Sequence, residues 1–513
     1  MSAVWHDSKS SARRVAVIGG GASGTSAAYF IRQNCEARGL DVDITILEHT
    51  ERIGGRTMVT SPPAPLDHLK LEVGASIFVK ENKYLVDFAK RAGLITLELA
   101  KKHEPRRPRL GIWNGRGFNL LTTGSRWRDL FLVLRTYGIV TPYKVRGLVT
   151  GFLKKFRPIY HEHAGFPTMQ AWLTKLSLNN AAERTAQTTF NMRPGLYQPY
   201  LSDIVEISSR VNYSQCLNEL HTIAMSVSMV PSIDTEYQVK GGNFQVFEYL
   251  ASMSRAQVLL GKSVAKVNRS PTTGTFRVTT RQGDAMDFDA VVVAVPLNID
   301  KALPIEFTET HADADLDEGV DRSVPLPIPA PLPSVEYQTL HVTLVLAQIR
   351  RGYFFNVTNE IQGEGEGLPM PDDIFTTRQA TTASPPAPFT SLSVHHTLMS
   401  EQVERYCEAN GQSVEKIDFE LADFTVSKLF SPQPMTEEQL DAIYASRLWT
   451  YRHAWKAYPK LVPRHDDEFP AIVLAERLYY PNAFEPFIST METSIISARN
   501  VANLVCRDLF DEV

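Results

Sequence analysis

The 513-residue chain, 43% apolar and 21% charged, can fill large cores and is neither a disordered nor a fibrous composition. Its 53 basic and 57 acidic residues leave a formal charge of −4, which gives no global attraction for nucleic acid. Cys35, Cys216, Cys407 and Cys506 stand far apart with no C-x-x-C and no metal-ligand spacing, so they read as simple thiols and no metal is expected.

Residues 1–14 are polar and lack the apolar run of a secretory signal peptide. With no later run of about 20 uncharged apolar residues, the expectation is a soluble, cytoplasmic protein. Val15-Ala-Val-Ile18 then reads as a buried parallel strand, followed by Gly19, Gly21 and Gly24 in the spacing G-x-G-x-x-G and a helix over 23–38. The first glycine permits the turn, the second lets a pyrophosphate approach the backbone, and the third lets the helix lie against the strand. Ala22 and Ser23 fall between them, at the helix N-terminus that favours a phosphate bridge.

Glycine turns of this kind also occur without a ligand, so the next stretch matters. Residues 43–47 form a second buried strand, and Glu48 stands at its end, where a carboxylate accepts bonds from ribose hydroxyls and repels a 2′-phosphate. Gly54-Gly55-Arg56 and Gly74-Ala75-Ser76 follow. The ordered series resembles the flavoprotein superfamily of amine oxidases and their relatives, which implies FAD rather than NAD. Structural readings stay open: Arg56 as a solvated loop charge, Gly74 as a simple turn.

A helix is expected from Asn82 to Gly93. Residues 101–157 are markedly basic, with Trp127, Leu130, Phe131, Leu134, Tyr137, Phe152 and Phe156 interleaved. That mixture fits amphipathic helices on an anionic bilayer, or, more simply, a solvated basic face on helices that cap a substrate domain. Residues 169–235 read as helical. Strands are expected at 257–260, 263–267, 275–280 and 289–295, with Val264 offering backbone to the adenine in the flavoprotein class or serving as plain strand. The Pro-rich stretch 303–335 reads as a stiff connector. Strands at 337–347 and 391–395 would build a second sheet, with 361–389 an excursion from it. A helix opening at Met491-Glu492 would aim its N-terminus at the flavin.

The chain also carries Arg210-Val-Asn-Tyr213, Lys240-Gly-Gly-Asn243 and Arg477-Leu-Tyr479-Tyr480 with Met491-Glu492. With the glycine motifs, these resemble the prenylcysteine oxidase family, also called prenylcysteine or farnesylcysteine lyase. The resemblance implies an α/β fold: an FAD-binding Rossmann-like domain of glutathione-reductase/amine-oxidase type, interleaved with an α+β substrate domain. Residues 1–80, 241–302 and 469–513 are assigned to the FAD domain, and 81–240 and 303–468 to the substrate domain. It implies FAD-dependent cleavage of the S-prenyl-cysteine thioether with water and dioxygen to a prenyl aldehyde, cysteine and hydrogen peroxide. Two alternatives stay open: oxidation, desaturation or cyclisation of another prenylated compound in specialised metabolism, and a flavin-binding protein without turnover. Tyr480, His453 and Glu492 are the candidate catalytic residues, and Arg210, Arg477 and Tyr479 the candidate substrate contacts. Each has a structural alternative, because buried tyrosines are ordinary core residues and arginines usually lie at surfaces.

Overall fold

The computed structural model describes residues 12–98, 109–297, 305–310, 323–328, 335–355, 370–378, 387–415 and 417–510. Expectations for 101–108, and for most of the Pro-rich connector and the 361–389 excursion, therefore lie outside the described residues.

Strand Arg13–Ile18 is the centre of a six-stranded sheet with the order 257–259, 42–47, 13–18, 290–293, 478–479, 473–475. Its pairings are parallel except for the last, which is antiparallel. Val15, Ala16 and Val17 are fully buried, as a strand covered on both faces requires. Helix Ala22–Ala37 and the closing helix Met491–Phe510 pack together on this sheet, with Cys35 Sγ 3.8 Å from Cys506 Sγ. The strand Ala290–Val293 does not close the sheet, because it pairs with 13–18 on one side and 478–479 on the other.

The 264–269 strand belongs to a separate five-stranded sheet, where it pairs with 276–280 and 306–310. A seven-stranded sheet follows the order 444–459, 337–349, 424–431, 391–398, 373–376, 110–113, 118–121. The aromatic stretch after residue 444 is its longest strand, Tyr444–Pro459.

Alternation along that sheet sends Ile374, Leu392 and Leu429 to one face, where they join a buried cluster with Phe354 and Phe389. The neighbouring positions Asp373, Ser393 and Lys428 are register partners on the opposite face. That face looks across a cavity toward the strand ends of the six-stranded sheet, which is where open α/β sheets bind ligands.

Candidate active site

The cavity has a volume of about 1010 Å³, at the upper limit of the roughly 300–1,000 Å³ usual for small-molecule sites. Its lining includes Gly19, Gly21, Ala22, Ser23, Glu48, Gly54, Gly55, Arg56, Gly74, Ala75 and Ser76, with Met491 and Glu492 at the start of the closing helix.

The glycine roles are visible as forbidden volumes. A Cβ on Gly24 would lie 1.9 Å from the Gly19 carbonyl oxygen, so only glycine lets the helix approach the turn. A Cβ on Gly55 would lie 3.0 Å from Gly21 Cα, so the two glycine turns face each other across a narrow slot. Gly21 is the N-cap of helix 22–37 and supplies no side-chain cap, and the first turn carries no acid. An anionic ligand is what completes such a helix start.

Glu48 is buried at the end of strand Val42–Leu47. Its Oε2 accepts the Gly20 N–H at 2.6 Å, and its Oε1 accepts the Thr50 N–H and hydroxyl at 2.8 and 2.7 Å. Burial acts to raise its pKa, but these bonds and His49 outweigh burial and hold it at about 2. Oε2 retains acceptor capacity for one more donor. A depressed carboxylate pKa stabilises the fold above the ordinary value and loses that contribution as pH falls toward 2. Glu48→Gln is therefore expected to destabilise the protein at pH 7 by on the order of 3 kcal/mol and to flatten the stability profile between about pH 4.5 and 2. Denaturant unfolding across that range checks it.

The second glycine turn is tied down by Arg52, which donates to the Thr57 and Gly55 carbonyls at 2.9 and 2.6 Å. Arg56 donates to the Ala457 carbonyl at 2.8 Å and pairs with Glu485, which also accepts the Tyr337 hydroxyl at 2.6 Å. Arg56 thus joins the nucleotide end to the long strand 444–459. Asn243 donates to the Ala75 and Ser76 carbonyls at 3.0 Å each, which places the Gly74-Ala75-Ser76 loop. Gly241 and Gly242, at φ +90° and +123°, make the turn that presents it.

The nucleotide contacts expected from sequence thus line the cavity, with two exceptions: Gly24, which packs against the Gly19 carbonyl behind it, and Val264. Val264 does not line it; its side chain is buried and its strand pairs with Thr280 in the five-stranded sheet.

The catalytic and substrate expectations need correction. Tyr480 is buried, and its hydroxyl accepts the Leu297 N–H at 3.2 Å. Tyr479 is fully buried and donates to Asp508 at 2.6 Å. Arg477 sits at φ +59° between strands 473–475 and 478–479. None of the three lines the cavity. Arg210 is turned to the Thr376 carbonyl, although Val211, Asn212 and Tyr213 beside it line the cavity. His453 lies on strand 444–459 between Tyr451 and Trp455, and of these three only Trp455 lines the cavity. Glu492 does line it, but its two oxygens accept the Tyr84 and Leu85 N–H groups at 2.9 and 3.0 Å. It caps helix Lys83–Arg91, which has no side-chain cap of its own.

Lys428 was missed by sequence reasoning. It is buried on the cavity face of strand Phe424–Ser431 and donates to Ser76 Oγ at 2.8 Å and the Glu72 carbonyl at 3.3 Å. Burial lowers its pKa to about 8 against the opposing pull of Glu72 and Asp373. Behind it Glu72 is fully buried, with Oε1 accepting the Asn243 N–H at 2.6 Å and Oε2 lacking a hydrogen-bond partner. Burial pushes the Glu72 carboxyl up to about 7. A lysine in a buried β-strand is a signal of its own, but it is readable only once 424–431 is recognised as a strand.

Phe78, Leu85, Phe152, Leu153, Phe156, Val227 and Val230 give the same cavity an apolar chamber, with Leu85 joined to Glu492 through its N–H.

This doubly covered parallel sheet, with its glycine cradle and acidic strand end, defines an FAD-dependent oxidoreductase of the α/β flavoprotein fold. Two solved structures share the fold: a putrescine oxidase at TM-score 0.56 and 13% identity, covering 96% of this chain and 98% of that one, and a cyclohexylamine oxidase from Brevibacterium oxydans at 0.54 and 13%, covering 97% and 99%. Residues 17–92 match the NAD(P)-binding Rossmann-like domain model. Residues 120–513 match the prenylcysteine lyase model, and the chain belongs to that family. Similar proteins include a farnesylcysteine lyase of Arabidopsis thaliana and the human prenylcysteine oxidase 1, each 28% identical over 96% of this chain and 87% and 88% of theirs.

Proposed function

We propose that the protein oxidises the thioether of S-prenyl-cysteine, giving a prenyl aldehyde, cysteine and hydrogen peroxide from substrate, water and dioxygen. The observation that carries this reading is the single cavity whose lining joins a nucleotide cradle to an apolar chamber. The relatives named for prenylcysteine and farnesylcysteine support the substrate class.

The chemistry that bound FAD would supply is two-electron oxidation of the allylic carbon beside sulfur, with dioxygen as the final acceptor. The chain's own residues hold and orient. Helix 22–37 and the glycine turns would hold the pyrophosphate, Glu48 a ribose, and Met491 at the closing helix start the flavin ring. The apolar chamber supplies ~0.8 kcal/mol per buried CH₂, so a prenyl tail dominates substrate selection over any single hydrogen bond of about 1 kcal/mol.

Lys428 lines the same cavity, bonded to Ser76 beside the glycine turns and level with Asp373 and Ser393 of the sheet face. As a free amine its Nζ accepts the proton of the water that adds to the oxidised carbon. The hemithioacetal then collapses to aldehyde and thiol. The assignment of 1–80, 241–302 and 469–513 to one domain is part of the same reading, supported by one sheet that takes strands 13–18, 42–47, 257–259, 290–293, 473–475 and 478–479. Under air, S-farnesyl-cysteine should yield aldehyde, cysteine and peroxide in equal amounts, as chromatography and a peroxidase-coupled assay would record. Peroxide without released cysteine would contradict thioether cleavage.

A further inference from the structure

Helix Arg126–Tyr137 is built inside out. Its Leu132 and Val133 rest against a small cluster formed by Ile112, Leu120, Tyr137 and Ile207. The wider apolar stripe, Trp127, Leu130, Phe131 and Leu134, has the i, i+3, i+4, i+7 spacing of a face meant for burial. Yet Trp127 is 79% and Phe131 63% exposed. Gly138, at φ +68°, turns the chain into helix Val140–Phe156, whose first turn adds Ile139 at 67% and Tyr143 at 76%. A water-soluble protein gains nothing by leaving so many large side chains together in solvent.

The charges around the patch have one sign. Arg126, Arg128, Arg135 and Arg146 are exposed on the two helices. Asp129 is the sole acid between residues 109 and 157, and it is held inward by the Thr123 hydroxyl at 2.8 Å. Among the described residues no helix is long and apolar enough to cross a membrane.

We propose that the 126–143 helical hairpin docks the protein on an anionic lipid bilayer, with Trp127, Phe131, Ile139 and Tyr143 in the acyl boundary and the arginines at the headgroups. Charge complementarity selects the lipid, since basic residues flanking an apolar face are what an anionic interface attracts. Aromatic rings with polar edges are suited to that depth. Helix Val140–Phe156 also connects the patch to the cavity, for its far end supplies Phe152, Leu153 and Phe156 to the apolar chamber. Val140 to Phe156 spans ~24 Å at 1.5 Å per residue. Docking would place this part of the cavity lining about one helix length from the bilayer. That link to catalysis rests on the proposed substrate; the docking does not.

The test is flotation of the flavin-loaded full chain with phosphatidylcholine vesicles that contain or lack phosphatidylserine. The wild type should float with the anionic vesicles and stay behind with the neutral ones. The double variants Trp127→Ser with Phe131→Ser, and Ile139→Ser with Tyr143→Ser, should each lower the floated fraction by roughly tenfold or more. Arg128→Glu with Arg135→Glu should do the same. Visible flavin absorbance equal to wild type shows that a variant is folded, and the two apolar pairs on separate helices guard against one failing. Failure of the wild type to float, equal flotation with neutral vesicles, or unchanged flotation of the folded variants would overturn the proposal. A wild-type dimer that the apolar variants convert to monomers in light scattering would also overturn it, by assigning the patch to a second copy. None of these readouts depends on turnover of a prenylated substrate.

Discussion

Gly24→Ala is expected to yield protein with little or no bound FAD. A single methyl at this position would stand 1.9 Å from the Gly19 carbonyl oxygen, 3.0 Å from its carbon and 3.3 Å from Ala294 Cβ. The obstacle is backbone, so no rotamer change relieves it. Either the helix retreats from the strand or the Gly19 turn opens, and both move the first-turn N–H groups away from the slot between Gly21 and Gly55. Overpacking of this kind costs roughly 1–3 kcal/mol or more. Focused on the ligand it lowers affinity by about tenfold to a hundredfold. Gly147→Ala is the control. It lies on helix 140–156 with nothing within 4 Å of the added carbon, so its flavin content should match wild type, and its stability should rise by about 0.5–1 kcal/mol. Flavin-to-protein absorbance ratios and a fluorescence titration read both variants.

The second large effect is at Lys428. If its free amine takes the proton of the attacking water, Lys428→Met should lower turnover of S-farnesyl-cysteine by about 10²–10⁴-fold, the usual size of general-base catalysis. The sign of the pH dependence is fixed by the lowered pKa. Below about 8 the ammonium form predominates and cannot accept a proton, so wild-type turnover should rise as pH passes through about 8. In the methionine variant that limb should vanish. A merely structural lysine would change the rate without removing the limb. The substitution should be tolerated in the fold because Glu72, already raised to about 7 by burial, goes further toward its neutral form once the cation is gone. Ser76 keeps its own bond to the Gly74 carbonyl at 2.9 Å.

What was legible in the sequence was what short-range geometry dictates. Gly19, Gly21 and Gly24 announce themselves because each role is set within six residues, and Glu48 because it ends the next strand. Lys428 and Asp373 were not legible, since their meeting depends on the register of strands drawn from 373–376, 391–398 and 424–431 and on which face of that sheet looks at the cavity. Tyr479 and Tyr480 were misplaced for a related reason. The resemblance points to them as site residues, but Tyr479 pairs with Val292 inside the six-stranded sheet and both side chains are buried away from the cavity lining. Glu492 was read as an acid at a helix start serving the ligand, whereas it serves the start of another helix, 408 residues away from Tyr84 in sequence. The stripe at Trp127, Leu130, Phe131 and Leu134 has the pattern of a core face, and only the tertiary structure shows that, among the described residues, it stays exposed.

The most direct test of the central claim is an anaerobic titration of the purified yellow protein with S-farnesyl-cysteine, followed by the loss of the visible flavin band. The account predicts full bleaching at one equivalent, and none with a saturated S-alkyl cysteine of equal length, which fills the same apolar chamber but has no alkene to share the developing positive charge. A flavin that stays oxidised with the prenyl thioether, or that bleaches equally with the saturated one, would contradict it.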